Sequence, residues 1–314
     1  MSTSSSGPNT SVTVIIPAYN EEANIARIVR QVLDEPWDVG QLLERVVMVD
    51  DCSSDRTQDI AQSLACSDQR VHVVRHEQRS GKNAGIRLAA AACTSDVLVV
   101  VDADVLLTPG CLVETIVLLS CDPSLMAASC IVEPLPAQSW AERASRSQAL
   151  FVSELKRRGQ AYLSALYAIR APAFGALDVP DGVADDAYIT CWLRGHGYPY
   201  AIRRDAKAYI RAAVGIRDFA KQTLRGRRGE QATKRAVPDA ESGVHKTRRI
   251  VILGALWAAF VRDPLGFFLY VAWYAIVLVT PSTIWLPNVS LSTFDSVRST
   301  KDLGAPAVSN RDAR

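Results

Sequence analysis

The sequence lacks the usual marks of a secreted or zinc-stapled protein. Its seven cysteines, Cys52, Cys66, Cys93, Cys111, Cys121, Cys130 and Cys191, are odd in number and scattered, and no Cys-x-x-Cys occurs. This argues against a disulfide framework or a zinc site and fits small buried thiols in a reducing compartment. Only four histidines are present, and none sits in a pattern that suits catalysis; His196 reads as structural. No signal peptide is visible: the first eleven residues, MSTSSSGPNTS, have no apolar stretch and read as a disordered tail. Internal repeats are absent too. With 48% hydrophobic and 22% charged residues in 314, the chain is too apolar for disorder and long enough for one large domain or two modest ones.

The charge that is present lies unevenly. The formal net charge is only +2, yet Arg203 to Arg249 holds 14 Lys/Arg against 5 Asp/Glu, a net of +9, so the rest of the chain is acidic by a similar amount. A basic stretch of this kind suits phosphate, an anionic lipid surface, or both. Nothing in its pattern points to a nucleic acid.

The first hundred residues alternate. SVTVIIP (Ser11–Pro17), RVVMVDD (Arg45–Asp51), VHVVRH (Val71–His76) and DVLVVVDAD (Asp96–Asp104) read as buried strands. Between them lie a helix carrying Ile25, Ile28, Val29 and Val32 behind a cap at Asn20, a helix capped by Ser53 or Ser54 and running to about Cys66, and a helix from Gly81 to Ala92. Apolar strands alternating with helices predict a Rossmann-like α/β fold, a mostly parallel sheet with helices on both faces. Ligands bind such sheets outside the carboxyl ends of the strands. The polar clusters lie at those ends: Tyr19-Asn20-Glu21, Asp50-Asp51, and Asp102-Ala103-Asp104. A lone carboxylate ending a run of Val and Leu is costly to bury, so the last pair implies a positive partner. Asp50 reads as structural, holding its turn. Further on, the pattern predicts an amphipathic helix over Ser139–Arg158, a strand over Tyr162–Arg170 and a helix over Asp185–Arg194. One or two strands over Tyr200–Ile210 and a basic helix over Ile216–Arg228 follow.

IPAYNEE, VDDCSSDRT, GKNAGIR and VVVDADVLL, followed by ADDAYITCWLRGHGY and QTLRGRR, resemble in order and spacing the motifs of family 2 glycosyltransferases with the GT-A fold. The resemblance runs from about Val12 to Arg228. It implies a nucleotide-sugar donor whose nucleoside lies among Pro17, Ala18, Tyr19, Glu21 and Val49. Asp51 would bond the base, a pattern that suits uracil or guanine. It further implies Mg²⁺ or Mn²⁺ on Asp104 and Asp102, with Asp102 and Ala103 also near the ribose. The physics agrees, since carboxylates face a pyrophosphate only across a cation, and these ions bind one or two carboxylates plus phosphates. Lys82, at a helix start on the same rim, has two readings: a nucleotide contact or a surface lysine. The resemblance makes Asp186 the base that takes the acceptor hydroxyl's proton in an inverting transfer. Asp185 stands beside it where the family usually has Glu. Gln222, Arg225 and Arg228 would face the leaving diphosphate, and they equally suit lipid headgroups. The family's Trp after the Q-x-x-R motif marks processive, polymer-making members; here Gly226 follows Arg225, which implies a non-processive enzyme. PAYNEE, in place of a glycine-rich loop, argues against a sugar-nucleotide pyrophosphorylase.

Leu265 to Leu286 is 22 residues without a charge. As a helix it would span roughly 33 Å, against a hydrocarbon core of about 30 Å. It is expected to cross a membrane, the other reading being a buried core helix. Ile250 to Val261 is too short to cross and is expected to lie in the interface or pack under the domain, a two-helix hairpin being the other arrangement. Lys246, Arg248 and Arg249 place this side in the cytoplasm. The expected layout is therefore a tail (1–11), a nucleotide-sugar-binding half (12–110), an acceptor-binding catalytic half (111–230), a basic linker (231–249), membrane-associated helices (250–286) and a polar tail (287–314). The expected activity is inverting transfer from a nucleotide sugar, with a lean to UDP, to a hydroxyl on a lipid-linked acceptor. It would take place at the cytoplasmic membrane face, in contact with membrane lipids. Two alternatives stand: a polyprenyl-phosphate glycosyltransferase, whose ionised acceptor needs no base, and a non-catalytic membrane-bound sugar-nucleotide binder.

Overall fold

The computed structural model describes residues 10–37, 41–158, 162–237 and 249–280. Of the expected N-terminal tail, residues 1–9 lie outside the described residues while Thr10 and Ser11 belong to the first strand; the C-terminal tail and most of the basic linker also lie outside. Eight strands form one sheet: β1 (Thr10–Ala18), β2 (Gln41–Asp50), β3 (Val71–Arg75), β4 (Val97–Val101), β5 (Val105–Leu107), β6 (Ala127–Pro134), β7 (Leu166–Arg170) and β8 (Tyr200–Ile210). The helices are α1 (Ile25–Leu33), α2 (Thr57–Ser67), α3 (Lys82–Ala91), α4 (Cys111–Cys121), α5 (Trp140–Arg157), α6 (Ala171–Gly175), α7 (Asp185–Gly195), α8 (Ile216–Ala236), α9 (Arg249–Arg262) and α10 (Pro264–Val279).

The strand order is β3-β2-β1-β4-β7-β6-β8-β5. The first four strands are parallel, as their continuous apolar character predicts. The second half departs from a mostly parallel sheet: β7 runs antiparallel to both β4 and β6, and β5 antiparallel to β8. The sheet is mixed. Side chains alternate across it. Val12, Val14 and Ile16 pack with α1, α2 and α4 on one face, while Ile15, Val47 and Val49 pack with α3, α6 and α7 on the other. Each such fully buried aliphatic contributes about 1.5–3 kcal/mol.

Two expected helix caps are instead loop staples. Asn20 has φ 54°, in the left-handed region that Asn tolerates better than most residues. Its Oδ1 accepts the Ser54 N–H at 2.8 Å, and its own N–H donates to Ser53 Oγ at 2.9 Å. Helix α1 begins only at Ile25, and α2 at Thr57, whose N–H donates to Asp55 Oδ1 at 2.9 Å. The polar residues after β1 and β2 thus tie the two loops to each other, which fixes the rim where both strands end.

The C-terminal helices do not match the expected span. Helix α10 has 16 residues, about 24 Å of helix, and ends at Val279. Thr280 is extended, as a residue ahead of a proline prefers to be, and Pro281 follows. The uncharged run therefore exceeds the helix, and positions 281–286 lie outside the described residues. Among the described residues no helix is long and apolar enough to cross a membrane. Helices α9 and α10 are separated by Asp263 alone and lie against α5. Asp263 caps α10 through the Gly266 N–H at 3.0 Å and binds Arg143 at 2.5 Å. Burial works against its charge, but the Arg143 and Gly266 hydrogen bonds prevail and hold it below the usual carboxylate range. One side of α10 is a core side: Trp273 and Val277 pack with Phe219 and Ala220 of α8 and Ala144 of α5.

Candidate active site

The carboxyl ends of β1, β2 and β4 open on a cleft of about 380 Å³. It gathers Pro17, Ala18, Tyr19 and Glu21 after β1, Asp51 after β2, Lys82 at the start of α3, and Asp102, Ala103 and Asp104 after β4. Asp185 and Asp186 enter from the first turn of α7, and Gln222 and Arg225 from α8. Two of the sequence-predicted residues are not on its wall. Val49 is buried under the floor, where its Cγ1 would sit 2.9 Å from a Cβ placed on Gly85. Arg228 lies on α8 beyond the cleft.

Lys82 is the hinge of the charge arrangement. Its Nζ is 2.6 Å from Asp102 Oδ1 and 2.9 Å from Asp185 Oδ1, so one ammonium joins the carboxylates after β4 to those on α7. Burial pulls Lys82 down, but the two carboxylates outweigh it and hold it protonated well above its ordinary range. Tyr167 of β7, fully buried, donates to the other Asp185 oxygen at 3.0 Å. Asp102 is pushed up to about 6 by desolvation, with Lys82 opposing and Asp185 and Asp104 adding repulsion. Its side chain is still 30% exposed, so water reaches the carboxylate and moderates that push. Asp186 is likewise pushed up to about 6, first by burial and then by Asp185; Lys156, Lys82 and the Ala187 N–H oppose.

The loop after β3 is held by Asp51, whose carboxylate accepts from Ser80 N–H at 2.7 Å and Gly81 N–H at 3.0 Å. Arg79 of that loop lies over the Tyr19 ring, 3.7 Å from its centroid. Asp50 stays inside the turn, accepting the Ser53 N–H at 2.9 Å. Glu21 accepts from Asn24 Nδ2 at 2.9 Å. Helix α8 reaches the cleft because Gly229 lets it approach Ala184; a Cβ there would lie 3.3 Å from that residue's Cβ.

Several wall residues carry no signal in the sequence. Ser164 and Ala165 line the cleft only because β7 inserts beside β4, where the Asp102 N–H donates to Ala165 O at 2.9 Å. Tyr167 and Lys156 reach the site from behind, and Val183 and Ala184 come from the loop before α7. Among the described residues no group of three or more His, Cys, Asp or Glu could hold a metal by itself. Asp104 and Asp102 offer hard oxygen ligands, which suits Mg²⁺ or Mn²⁺ shared with a ligand's phosphates rather than a cation caged by protein alone.

Comparison with known proteins gives the family and the fold. Residues 13–173 match the family described as Glycosyl transferase family 2. A putative teichuronic acid biosynthesis glycosyltransferase of Bacillus subtilis is 41% identical over 70 residues, 22% of this chain and 26% of that protein. An undecaprenyl-phosphate 4-deoxy-4-formamido-L-arabinose transferase of Pseudomonas aeruginosa is 33% identical over 94 residues, 30% of this chain and 27% of that protein. The chain thus spans little more than a quarter of the length of either relative. Among solved structures, a mannosyltransferase from Pyrobaculum calidifontis in complex with GDP-Man and Mn²⁺ superposes with a TM-score of 0.53 at 20% identity, covering 89% of this chain and 84% of that one. Glucosyl-3-phosphoglycerate synthase from Mycobacterium tuberculosis gives 0.53 at 17% identity, over 74% and 82%.

Proposed function

The chain belongs to glycosyl transferase family 2, and on that premise we propose that it transfers a sugar from a nucleoside diphosphate sugar to an acceptor hydroxyl, with inversion, at a membrane surface. The observation that carries this reading is the meeting of Asp102 and Asp104 with Asp185 and Asp186 around Lys82 in one cleft. The first pair suits the donor's diphosphate and the second suits the proton of the acceptor.

Asp186 takes the hydroxyl proton as the acceptor oxygen attacks the anomeric carbon. The bond from that carbon to the diphosphate breaks on the opposite side, which inverts the centre. Negative charge grows on the departing diphosphate, and Arg225 and Gln222 of α8 face it from the wall. Asp104 and Asp102 would hold Mg²⁺ or Mn²⁺, which neutralises the diphosphate when bound. Tyr19, with Pro17 and Ala18, forms the side of the cleft suited to the nucleoside, for which a UDP-sugar is the first choice.

The membrane part rests on α9 and α10. Eleven of the sixteen exposed large apolar side chains among the described residues lie on these two helices. From Val251 to Val279 the only charges are Arg262 and Asp263, and Asp263 is buried. Exposed Arg217, Lys221 and Arg227 line the neighbouring α8. An apolar hairpin beside a basic helix suits the boundary of an anionic leaflet, lying in it rather than crossing it. The acceptor in this reading is lipid-linked and on the cytoplasmic face; the apolar helices beside basic α8 support a membrane surface, and relatives named for polyprenyl-phosphate acceptors support a lipid. A phosphate acceptor would leave Asp186 without a task.

Two measurements test this. Thermal stabilisation by sugar nucleotides, with and without Mn²⁺, identifies the donor; the UDP-sugar effect should vanish in Asp104→Ala. Asp186→Asn should lose transfer to hydroxyl acceptors by roughly a hundredfold or more, and full activity in that variant would sink the hydroxyl reading.

A further inference from the structure

Lys156 of α5 belongs to no motif in the sequence. Its side chain is buried, with 8% of the residue exposed. The Nζ donates to Leu163 O at 3.0 Å. A buried ammonium on a neutral carbonyl is costly unless a negative charge is near. Burial does pull Lys156 below its ordinary range, and the Asp186 carboxylate is the main influence holding its proton on. The effect runs both ways: Lys156 draws Asp186 down against burial and against Asp185.

Hydrogen bonds through Leu163 and Thr190 connect Lys156 to the backbone carbonyl of Asp186. The same Leu163 whose carbonyl receives Lys156 donates its N–H to Thr190 Oγ1 at 2.9 Å, and that hydroxyl donates to Asp186 O at 2.6 Å. Ser164 and Ala165, next in the chain, line the cleft. Lys156 thus grips the segment that supports both the cleft wall and the first turn of α7. The charged groups acting on Asp186 are Asp185 on its own helix, Lys82 from α3 and Lys156 from α5; the Tyr162 and Tyr167 phenols also feel its charge. Lys82 is already committed to Asp102 and Asp185. The Cys130 thiol is the other titratable group that Lys156 feels.

We propose that Lys156 is the internal counter-ion of Asp186, a positioning residue behind the cleft that keeps this carboxylate charged and its turn in place without touching either substrate. The assignment rests on the reading of Asp186 as the base, so its test has one arm that needs no catalysis. In that arm, thermal unfolding is measured for Lys156→Met, Asp186→Asn and the double variant, without donor. Each single variant leaves the other charge without its partner, so the double variant should lose less than the two single losses added together. Asp186→Asn should also gain stability relative to the native protein as pH rises from 7 to 9, because an unpaired Lys156 binds its proton less tightly folded than unfolded. Strict additivity, or no such pH trend, would overturn the counter-ion whatever the enzyme does. The trend in Asp186→Asn decides the matter even where Lys156→Met does not fold. In the second arm, the acidic limb of the kcat profile should move up by about one unit or more in Lys156→Met, a roughly tenfold loss at low pH that is recovered in alkali. Lys156→Arg should keep the limb near its native position. Superimposable limbs, or a loss that no pH recovers in folded Lys156→Met, would also overturn it. Coupling in the first arm together with full transfer by Asp186→Asn would leave the counter-ion standing and remove the base.

Discussion

Replacing Lys82 by Met removes the cation that joins Asp102 to Asp185. Complete burial of such a pair makes the loss of one partner cost about 3–5 kcal/mol, and full exposure makes it cost about 1 kcal/mol or less. Here the Lys82 and Asp102 side chains are 26% and 30% exposed and Asp185 10%, so a loss of about 2 kcal/mol is expected. In a chain of this size that lowers Tm by roughly 4–6 °C. The loss should depend on pH. Without Lys82, Asp102 faces Asp185 and Asp104 alone and rises further above about 6. A carboxyl raised in the folded state costs stability as pH rises through its range, so the deficit should be small at pH 5 and full at pH 8. It should also depend on ligands, because Mn²⁺ with UDP returns positive charge to Asp102. The assay is thermal unfolding of both proteins in EDTA and in saturating Mn²⁺ and UDP, at both pH values. An equal Tm gap in all four conditions would refute the reasoning and make Lys82 a packing residue only.

Glu35, buried, accepts the Gly110, Leu112 and Val113 N–H groups at the start of α4, each at 3.1 Å. Burial nevertheless raises it from 4.5 to about 7, so it costs stability as pH climbs between those values. Relative to the native protein, Glu35→Gln should gain up to about 3 kcal/mol between pH 5 and pH 8, measured by denaturant unfolding; a gap independent of pH would contradict this. Gly266→Ala would place a Cβ 2.5 Å from Asp263 Oδ2 and 2.7 Å from Arg143 O. It should cost about 2 kcal/mol and disturb the near-ultraviolet signal of Trp273, and a native Tm would show that α10 shifts freely. Leu253→Glu with Phe268→Glu, two sites each 64% exposed, should abolish co-sedimentation with anionic vesicles while leaving Tm within about 2 °C of native. Unchanged co-sedimentation would remove the hairpin from the membrane reading.

The donor half was readable because its signals are local. Val12 to Ile16 and Val97 to Val101 are unbroken apolar strands, and in a parallel sheet their ends must share a rim. That brings Tyr19, Asp51 and Asp102 together without knowledge of side-chain contacts. The acceptor half was harder, since β7 crosses from far along the chain to run antiparallel beside β4. No periodicity announces such an insertion, so Ser164, Ala165 and Tyr167 were invisible beforehand. Lys156 was hidden for another reason: in a helix with several arginines and glutamates, nothing in the letters distinguishes the one ammonium that turns inward. Asn20 and Ser53 were misread as caps because the same side-chain oxygens serve loops equally well. The C-terminal run misled through length, since hydropathy counts residues past Val279, where the described helix ends.

Helix α8 is a party wall. Gln222, Arg225 and Gly226 face the cleft, while Phe219, one turn earlier, stands edge-on to Trp273 at 5.6 Å and to Tyr270 at 6.3 Å. Two tenants share one rigid rod. If seating α10 on a surface changes how tightly the cleft holds nucleotide, thermodynamic reciprocity requires nucleotide to change the seating by the same factor. Sugar donor and lipid then become each other's effectors, and a vesicle-binding curve taken with and without UDP would read out the state of the cleft from the far side of the wall.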